Sequence, residues 1–426
     1  MMDEEKRAKI KQTKAETKAR REGKVARVYK VKIDRSHLSK TRYHHLKMLF
    51  VEAKWLYNHM VATDTIFTHD YKQKNVYVKN KDGEIEERWI KHLSSQMRQS
   101  LVDRARENIY NLSKAKQTGR KVGSIQFKSD VFSVPLKQHS PKGTFNVVSK
   151  NRIKLQGMKT PIHVRGLKQL GEDPDIANAH IVKHIDDFYF HITVYEKTKE
   201  RKKTGKQVGL DLGIKDAVIT SDGSKFTINE QETPRLKKLQ RRLHRRTKKG
   251  SNNRYKLRKQ IQKEYTKVAN KKDDIANKII HQLHEEYDFI GFQNESIRAW
   301  QRGRFGRSVQ SSILGRIKSA LKRSETAVMV NQFFPSTQEC PVCHEKQAMT
   351  LGDRWYYCDC CGYSEDRDVK AAISILNEAL KIAGREPISL MPVEGDASID
   401  TENSCNHSVP TSVYPEKQEA NEFIRW

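Results

Sequence analysis

Two C-x-x-C pairs, Cys340-Pro341-Val342-Cys343 and Cys358-Asp359-Cys360-Cys361, stand fourteen residues apart and constrain this chain more than any other feature. Each pair places two thiolates on one tight knuckle, and two knuckles complete a tetrahedral cage for zinc. Gly362, directly after the second pair, suits the turn that aims backbone amides at sulfur. Four thiolates leave no open coordination position, so such an ion is structural. Cys360 and His344 stand close by as further donors. A redox dithiol is the competing reading, and two paired motifs in one short span favour the metal. Five of the six cysteines fall between Cys340 and Cys361, a usage that fits metal binding in a reducing cytosol. Cys405 lies apart in a polar stretch and reads as incidental.

The 426 residues carry 82 Lys and Arg against 52 Asp and Glu, a formal net charge of +30. So large an excess repels itself unless a polyanion neutralises it, which makes nucleic acid the expected partner. A membrane surface is polyanionic too, but no helix-length apolar stretch or lipidation motif points there. Met1 to Lys24 has no apolar core of signal-peptide length, so a cytoplasmic location is expected. The charge is concentrated. Residues 235–267 hold fifteen Lys or Arg and one acid, Glu264. Leu236, Leu239 and Leu243 keep helical spacing there, and Gly250-Ser251-Asn252-Asn253 breaks the run. A solvated helix face usually mixes signs; here one sign dominates. The segment reads as a basic helical hairpin laid along phosphates, with Arg241, Arg242, Arg245, Arg246, Lys248 and Lys249 as candidate contacts.

Elsewhere the hydrophobic period changes along the chain. Residues 1–24 offer nothing to bury and read as a basic disordered arm, with a solvated helix as the alternative. Tyr29, Val31 and Ile33 alternate with Lys30 and Lys32, the period of a half-exposed strand. Leu46, Leu49, Phe50, Ala53, Tyr57 and Met60 then recur at helical steps. A second helix is expected from Leu93 to Leu112, with a turn at Asp82-Gly83 between the two. Short strands return at Ile125–Phe127, Ile153–Leu155, and the pair His180–Ile185 and Phe188–Tyr195 joined by Asp186-Asp187. The helical block therefore reads as an insertion in a small β domain. Beyond a charged linker at Lys197 to Lys203, the apolar strand Val208-Gly209-Leu210 runs into Asp211, and Phe289–Phe292 runs into Asn294-Glu295. An apolar helix, Val369–Ala383, ends at Gly384. Residues 385–426 hold eight acids against three bases and read as a disordered acidic tail. No internal repeat is visible.

Asp211, Glu295 and Asp368 each sit where a regular element meets a loop, so separate segments can converge their carboxylates on one pocket. Hard oxygen ligands gathered this way bind Mg²⁺, and two such ions ~3.5–4 Å apart can activate water and stabilise the leaving oxygen of a phosphodiester. Each acid also has a plainer reading. Asp368 or Asp366 could cap the helix that follows, Glu295 could be a strand-end charge, and Asp211 a turn residue. Spacing alone does not choose between these.

The order of the motifs does. Gly209-Leu210-Asp211-Leu212-Gly213-Ile214-Lys215 resembles the first RuvC motif of transposon-encoded TnpB proteins and of the related type V CRISPR nucleases. So do the basic hairpin, the strand ending in Glu295, and Pro335-Ser336-Thr337-Gln338 running into the first cysteine pair. The fourth match is Asp366-Arg367-Asp368-Val369-Lys370-Ala371-Ala372. The resemblance spans roughly residues 25–384 and is most specific from 208 to 376. It implies an RNase H-like fold, a bound guide RNA, and metal-dependent endonuclease cleavage of target DNA beside a short flanking motif, in a prokaryotic cytosol or nucleoid. It maps three catalytic acids onto Asp211, Glu295 and Asp368, and the zinc ligands onto Cys340, Cys343, Cys358 and Cys361.

The expected architecture is α+β and multi-domain. It comprises a β-barrel wedge (25–40 and 119–200), a helical recognition insert (41–118), a RuvC-like nuclease core (201–338 and 364–384) and a zinc ribbon (339–363). Two departures from the family pattern stand out. Lys370 replaces the Asn of Val-Asn-Ala-Ala, where a lysine near the metals would contact phosphate or perturb the site. Phe292-Gln293-Asn294-Glu295 replaces a Glu-Asp-Leu string. The rival readings are an RNA-guided DNA binder that no longer cuts, a transposase with the same acid trio, and a zinc-ribbon nucleic-acid protein without enzymatic activity.

Overall fold

In the computed structural model, residues 4–388 are described except 81, 138–142, 198–200, 202, 228–232, 246, 247, 249 and 351. Arg246, Lys249, Cys405 and tail residues 389–426 thus lie outside the described residues. The chain divides into two units, Met1–Glu200 and Arg201–Trp426.

The first unit opens with α1 (Glu4–Arg21), a helix where a disordered arm is expected. Its 18 residues contain no Gly or Pro and are dominated by Lys, Glu, Ala and Arg, all strong helix formers. Gly23, at φ 70°, follows its C-terminal end. Arg20 and Arg21 pair with Asp175 at 3.3 and 3.1 Å, and Arg21 lies 4.4 Å over the Tyr195 ring. The alternating pattern after it forms β1 (Lys24–Ile33). Helices α2 (Lys40–Ala62) and α3 (Ser95–Gln117) follow, capped by Ser39 and Ser94. Between them lies a hairpin, β2 (Asn75–Lys79) and β3 (Ile85–Trp89), around the anticipated turn at Gly83.

Strands β4 (Ser133–Lys137), β5 (Phe145–Ser149), β6 (Arg152–Leu155), β7 (Ile162–Arg165), β8 (Asp175–His184) and β9 (Asp187–Lys197) complete the unit. With β1 they form a seven-stranded antiparallel sheet in the order β4-β8-β9-β1-β7-β6-β5. Leu46, Leu49, Phe50 and Met97 from the helices share one core with Val31, Ile33, Phe190 and Ile192 from the sheet. The helical block is therefore packed into the β domain's own core. Two local expectations fail. Ile125–Phe127 is not a strand: the Tyr57 hydroxyl donates to the Gln126 carbonyl at 3.4 Å, Asn58 satisfies the backbone of Lys128 just beyond (3.0 and 2.9 Å), and Phe127 stays exposed. The β8–β9 turn falls on Ile185 and Asp186, one residue earlier than the Asp-Asp pair suggests.

The second unit is built on a five-stranded sheet in the order β12-β11-β10-β13-β14. It comprises β10 (Gln207–Asp211), β11 (Asp216–Thr220), β12 (Lys225–Thr227), β13 (Phe289–Gln293) and β14 (Ala327–Val330). The β10–β13 and β13–β14 pairs are parallel; the others are antiparallel. Helices α4 (Pro234–Arg245) and α5 (Asn252–Glu286) follow β12, and α6 (Ile297–Arg302), α7 (Gly306–Ser311) and α8 (Leu314–Leu321) follow β13. Val208, Leu210, Ile290 and Phe292 bury themselves against α5 and α8. A short ribbon, β15 (Trp355–Tyr357) with β16 (Ser364–Asp366), leads into the last helix, α9 (Arg367–Ile382).

Helix α9 lies on the opposite face of the sheet, over Gly209 and Gly291, which are paired across β10 and β13. A Cβ at Gly209 would sit 1.9 Å from the Ala372 carbonyl oxygen, and one at Gly291 would sit 2.7 Å from the Ala379 Cβ. Only glycine permits this approach. Past α9, Arg385 lies 4.8 Å over the Phe289 ring, and the Ile388 amide donates to Asn377 Oδ1 at 3.0 Å. Residues 385–388 are therefore docked, and the boundary expected at Gly384 comes too early.

Gly209→Ala is expected to destabilise the protein by at least about 3 kcal/mol, since the obstacle is backbone rather than a flexible side chain. Gly315→Ala, on α8 with open space around the new methyl, is expected to stabilise by about 0.5–1 kcal/mol. Urea unfolding of both variants checks the pair, and equal effects would show that α9 does not rest on bare glycine.

Candidate functional site

Three segments bring acids together in the second unit. Asp211 ends β10, Glu295 follows β13 by two residues, and Asp368 lies in the first turn of α9. Burial raises the Asp211 carboxyl above the ordinary carboxylate range, and the charges of Asp368 and Glu295 raise it further, to about 7. Arg367 and the Leu212 amide oppose that rise in part. Glu295 is also pushed up, chiefly by burial, with Lys318 opposing. Asp211 therefore senses both other acids. The carboxylates are not drawn as close as ligands round a bound ion. Among the described residues only the four cysteines bring three or more ligand atoms within 4.8 Å of one another.

Helix capping, the plainer role for this region, belongs to Asp366. Its Oδ1 accepts from the amides of Asp368 (2.9 Å) and Val369 (3.4 Å), and its Oδ2 meets the Lys225 ammonium at 2.8 Å. Burial works against its ionisation, but Lys225 and the two amides outweigh burial and hold its pKa below the usual value. Asp368 is left to side chains. Arg367 donates to its Oδ1 through Nε (3.0 Å) and Nη2 (2.9 Å), and Arg354 Nη1 stands 4.0 Å from Oδ2. Lys318 donates to the Glu295 carbonyl. Arg367 lies inside the Asp366–Ala372 motif, whereas Lys318 and Arg354 belong to no motif and only their proximity in the fold marks them.

Lys370 does not approach the acids, contrary to the expectation for this departure. Residues two apart on a helix point to different sides. Its side chain is fully buried, donates to the Ser336 carbonyl at 3.2 Å and lies 4.1 Å over the Tyr356 ring. Gln293, in the other departure, is also buried. Its amide nitrogen donates to Asn331, Gln332 and Phe334 carbonyls (3.2, 3.3 and 2.8 Å), and its Oε1 accepts from the Ser336 hydroxyl at 3.0 Å.

The ribbon gathers Cys340, Cys343, Cys358 and Cys361, with ligand atoms all within 4.8 Å. Sulfurs of Cys340 and Cys361 are 3.6 Å apart and those of Cys343 and Cys358 3.5 Å, near the ~3.8 Å edge of a tetrahedron with Zn–S of ~2.3 Å. The four-cysteine group thus fits a structural zinc ion. His344 turns outward, exposed, with Nδ1 3.2 Å from Glu339 Oε1. Gly362, at φ 71°, returns its amide to the Cys358 carbonyl at 2.9 Å, the turn its position suggests.

The basic segment folds as two helices. Leu236, Leu257 and Ile261, with Leu239 and Leu243, form a small core of their own. Glu264, the acid of this stretch, is buried and paired with Arg235 (3.4 Å) and Lys267 (3.0 Å). Arg241, Arg242, Arg245 and Lys248 remain exposed. No described helix is long and apolar enough to cross a membrane.

An acid-bearing mixed sheet joined to a four-cysteine ribbon is the class of protein this unit defines. Residues 190–294 match the family model OrfB_IS605, described as "Probable transposase", and residues 316–375 match the Cas12f1-like TNB domain. A protein of Streptomyces pristinaespiralis, named an RNA-guided DNA endonuclease, is 29% identical over 187 residues, 42% of this chain and 46% of its own length. This chain thus spans about half of that relative. InsQ of Escherichia coli K12, named likewise, is 25% identical over 319 residues, 68% of this chain and 76% of its own. A cryo-EM structure of a Cas12f1–sgRNA–target DNA complex aligns over 78% of this chain and 80% of its own, with a TM-score of 0.47 and 12% identity. The chain is TnpB-like.

The raised Asp211 pKa gives a stability signature. In magnesium-free buffer the folded state holds a proton on Asp211 up to about pH 7, while the unfolded chain releases it near ~3.9. This group's favourable contribution is complete below ~4 and disappears as pH rises towards 7. Asp211→Asn removes that loss, so its Tm advantage over wild type is expected to grow from pH 4 to pH 8. Parallel Tm–pH curves would mean that the folded chain does not raise the Asp211 carboxyl.

Proposed function

We propose that this chain is an RNA-guided, magnesium-dependent DNA endonuclease whose second unit is a RuvC-type, RNase H-like core. The observation that carries the reading is the placement of Asp211, Glu295 and Asp368 at the ends of the paired strands β10 and β13 and in the first turn of the helix packed on them, in a chain of net charge +30. The names of the two relatives support it. Asp211, Glu295 and Asp368 would hold Mg²⁺, which supplies an activated water and stabilises the leaving oxygen. The protein's own part is positional. Asp366 and Lys225 fix the start of α9, Arg367 orients Asp368, and Lys318 anchors the Glu295 backbone. In this reading 25–40 and 119–200 act as the wedge, 41–118 as the recognition insert, and the ribbon as a structural zinc module. Guide RNA pairing would select the site while the protein reads duplex shape and a flanking motif. Work in a prokaryotic cytosol or nucleoid follows from those partners.

A transposase reading has its own support in the family description covering 190–294. Strand joining would use the same acids, and product analysis separates it from hydrolysis. A binder that no longer cuts has less support, because Lys370 faces away from the acids.

With guide-loaded protein, Ala at Asp211, Glu295 or Asp368 is expected to cut cleavage more than about a hundredfold, beyond what removing a residue that merely supports a ligand costs, with guided binding retained. Asp366→Ala is expected to lose about 1 kcal/mol of stability and only part of the rate. Full-rate cutting by Asp211→Ala would end the nuclease mechanism.

Affinity for guide RNA is expected to fall steeply with salt. Replacing Arg241, Arg242 and Arg245 with Gln should flatten the slope of log affinity against log salt by about two, at roughly 0.7–0.9 per phosphate contact. An unchanged slope would place the hairpin away from the nucleic acid.

A further inference from the structure

The ammonium of Lys370 is fully buried, yet no carboxylate of the described residues pairs with it. A buried charge without an opposite partner costs several kcal/mol, and burial pulls the Lys370 pKa down to about 8, so a neighbouring counter-charge would hold the ammonium in its charged form. Its ammonium lies over the ring of Tyr356, which packs with Cys340 and Cys358 in the ribbon core. Zinc held by four thiolates carries a net charge of two minus, since each ligand is a thiolate and the ion supplies two positive charges. That assembly is a concentrated negative charge beside the ring on which the lysine rests.

Tyr356 stands between the two. Its ring carries the Lys370 ammonium at 4.1 Å on its face, and the residue packs among Cys340, Cys358 and Tyr363 in the ribbon core. Its buried hydroxyl has no hydrogen-bond partner, and Cys340 and Cys358 are the groups that act on it. An orphaned O–H beside two cysteines is the donor that a zinc-bound thiolate accepts from.

We propose that Lys370 and Tyr356 form the supporting sphere of a zinc tetrathiolate, the lysine as counter-charge and the tyrosine as hydrogen-bond donor to a thiolate. The same lysine reaches the Ser336 carbonyl, while Gln293 holds the Ser336 hydroxyl. The metal's support is therefore bolted to α9, which carries Asp368, and to β13, which leads to Glu295. Both departures from the family pattern serve this joint. The inference rests on the ribbon holding zinc and is independent of any cleavage reaction.

The test uses the full chain with zinc alone as the probe. Zinc affinity is read by competition with a colorimetric chelator, and Tm is measured zinc-loaded and zinc-stripped. Lys370→Met keeps the length and removes the charge. Its zinc affinity is expected to drop about 10–100-fold, as when partners that orient metal ligands are lost. Its zinc-stripped form should be at least as stable as zinc-stripped wild type, because the unpaired ammonium is gone. Tyr356→Phe, which removes only the hydroxyl, should lower zinc affinity about tenfold with no loss of zinc-free stability. Wild-type zinc affinity in Lys370→Met, or an equal Tm loss with and without zinc, would reduce the lysine to packing and overturn the inference alone. A wild-type chain that takes up no zinc would overturn it together with the ribbon's metal reading.

Discussion

The bare glycine pair under α9 is the constraint on which the second unit depends. Gly209 and Gly291 lie side by side on adjacent strands and let the helix backbone come down onto the sheet. Helix axes ordinarily stand off a sheet by the depth of a side-chain layer; here that layer is missing where α9 crosses β10 and β13. The consequence is electrostatic. Asp211 is two residues beyond Gly209 and Asp368 four residues before Ala372, the contact point. Seating the helix any higher would move Asp368 away from Asp211 and relax the mutual repulsion that marks the site. The geometry that concentrates negative charge is thus bought by removing two Cβ atoms.

Charge is distributed to match. The exposed cations of α4 keep their positive field, because the acid of that stretch, Glu264, is buried and neutralised locally. Asp211 does the opposite: burial and the charges of Asp368 and Glu295 leave it short of compensation, while Arg367 is spent on Asp368. A carboxyl with a pKa of about 7 holds its proton for want of a better cation. A divalent ion offered to such a site competes with a proton rather than with water alone. Its occupancy is therefore tied to pH as well as to concentration.

Much of this was readable from the residues, and what escaped did so for physical reasons. Period and spacing announced α2, α3, the β8–β9 pair, the hairpin leucines and the four cysteines, because each depends on contacts near in sequence. The arm at 1–24 was misjudged as disordered: lack of burial says nothing against a helix whose own residues favour it, and Asp175, distant in sequence, supplies its anchor. The strand expected at Ile125–Phe127 lost to Tyr57 and Asn58, whose side chains take up backbone groups of Gln126 and Lys128 that a neighbouring strand would otherwise satisfy. The role of the glycines at 209 and 291 depends on α9, which lies far along the chain, so no local pattern reveals it. Lys318 and Lys225 could not be singled out among 82 basic residues.

The two motif departures illustrate why a local pattern can mislead about chemistry. Lys370 is two residues from Asp368, so a reading along the sequence puts its charge beside the metals. The helix puts it on another side, and its four-carbon stem carries the ammonium away from the acids to the ribbon root. Asn, with a stem of one carbon, could not span from the α9 backbone to both Ser336 and the Tyr356 face. Gln293 likewise points inward from the last position of β13, and directs its hydrogen bonds to the segment 331–336. Lys370 takes the Ser336 carbonyl and Gln293 the Ser336 hydroxyl. Together they meet on opposite ends of one serine. A pair of changes that read singly as damage to an acid site is, in three dimensions, one joint between that site and its ribbon.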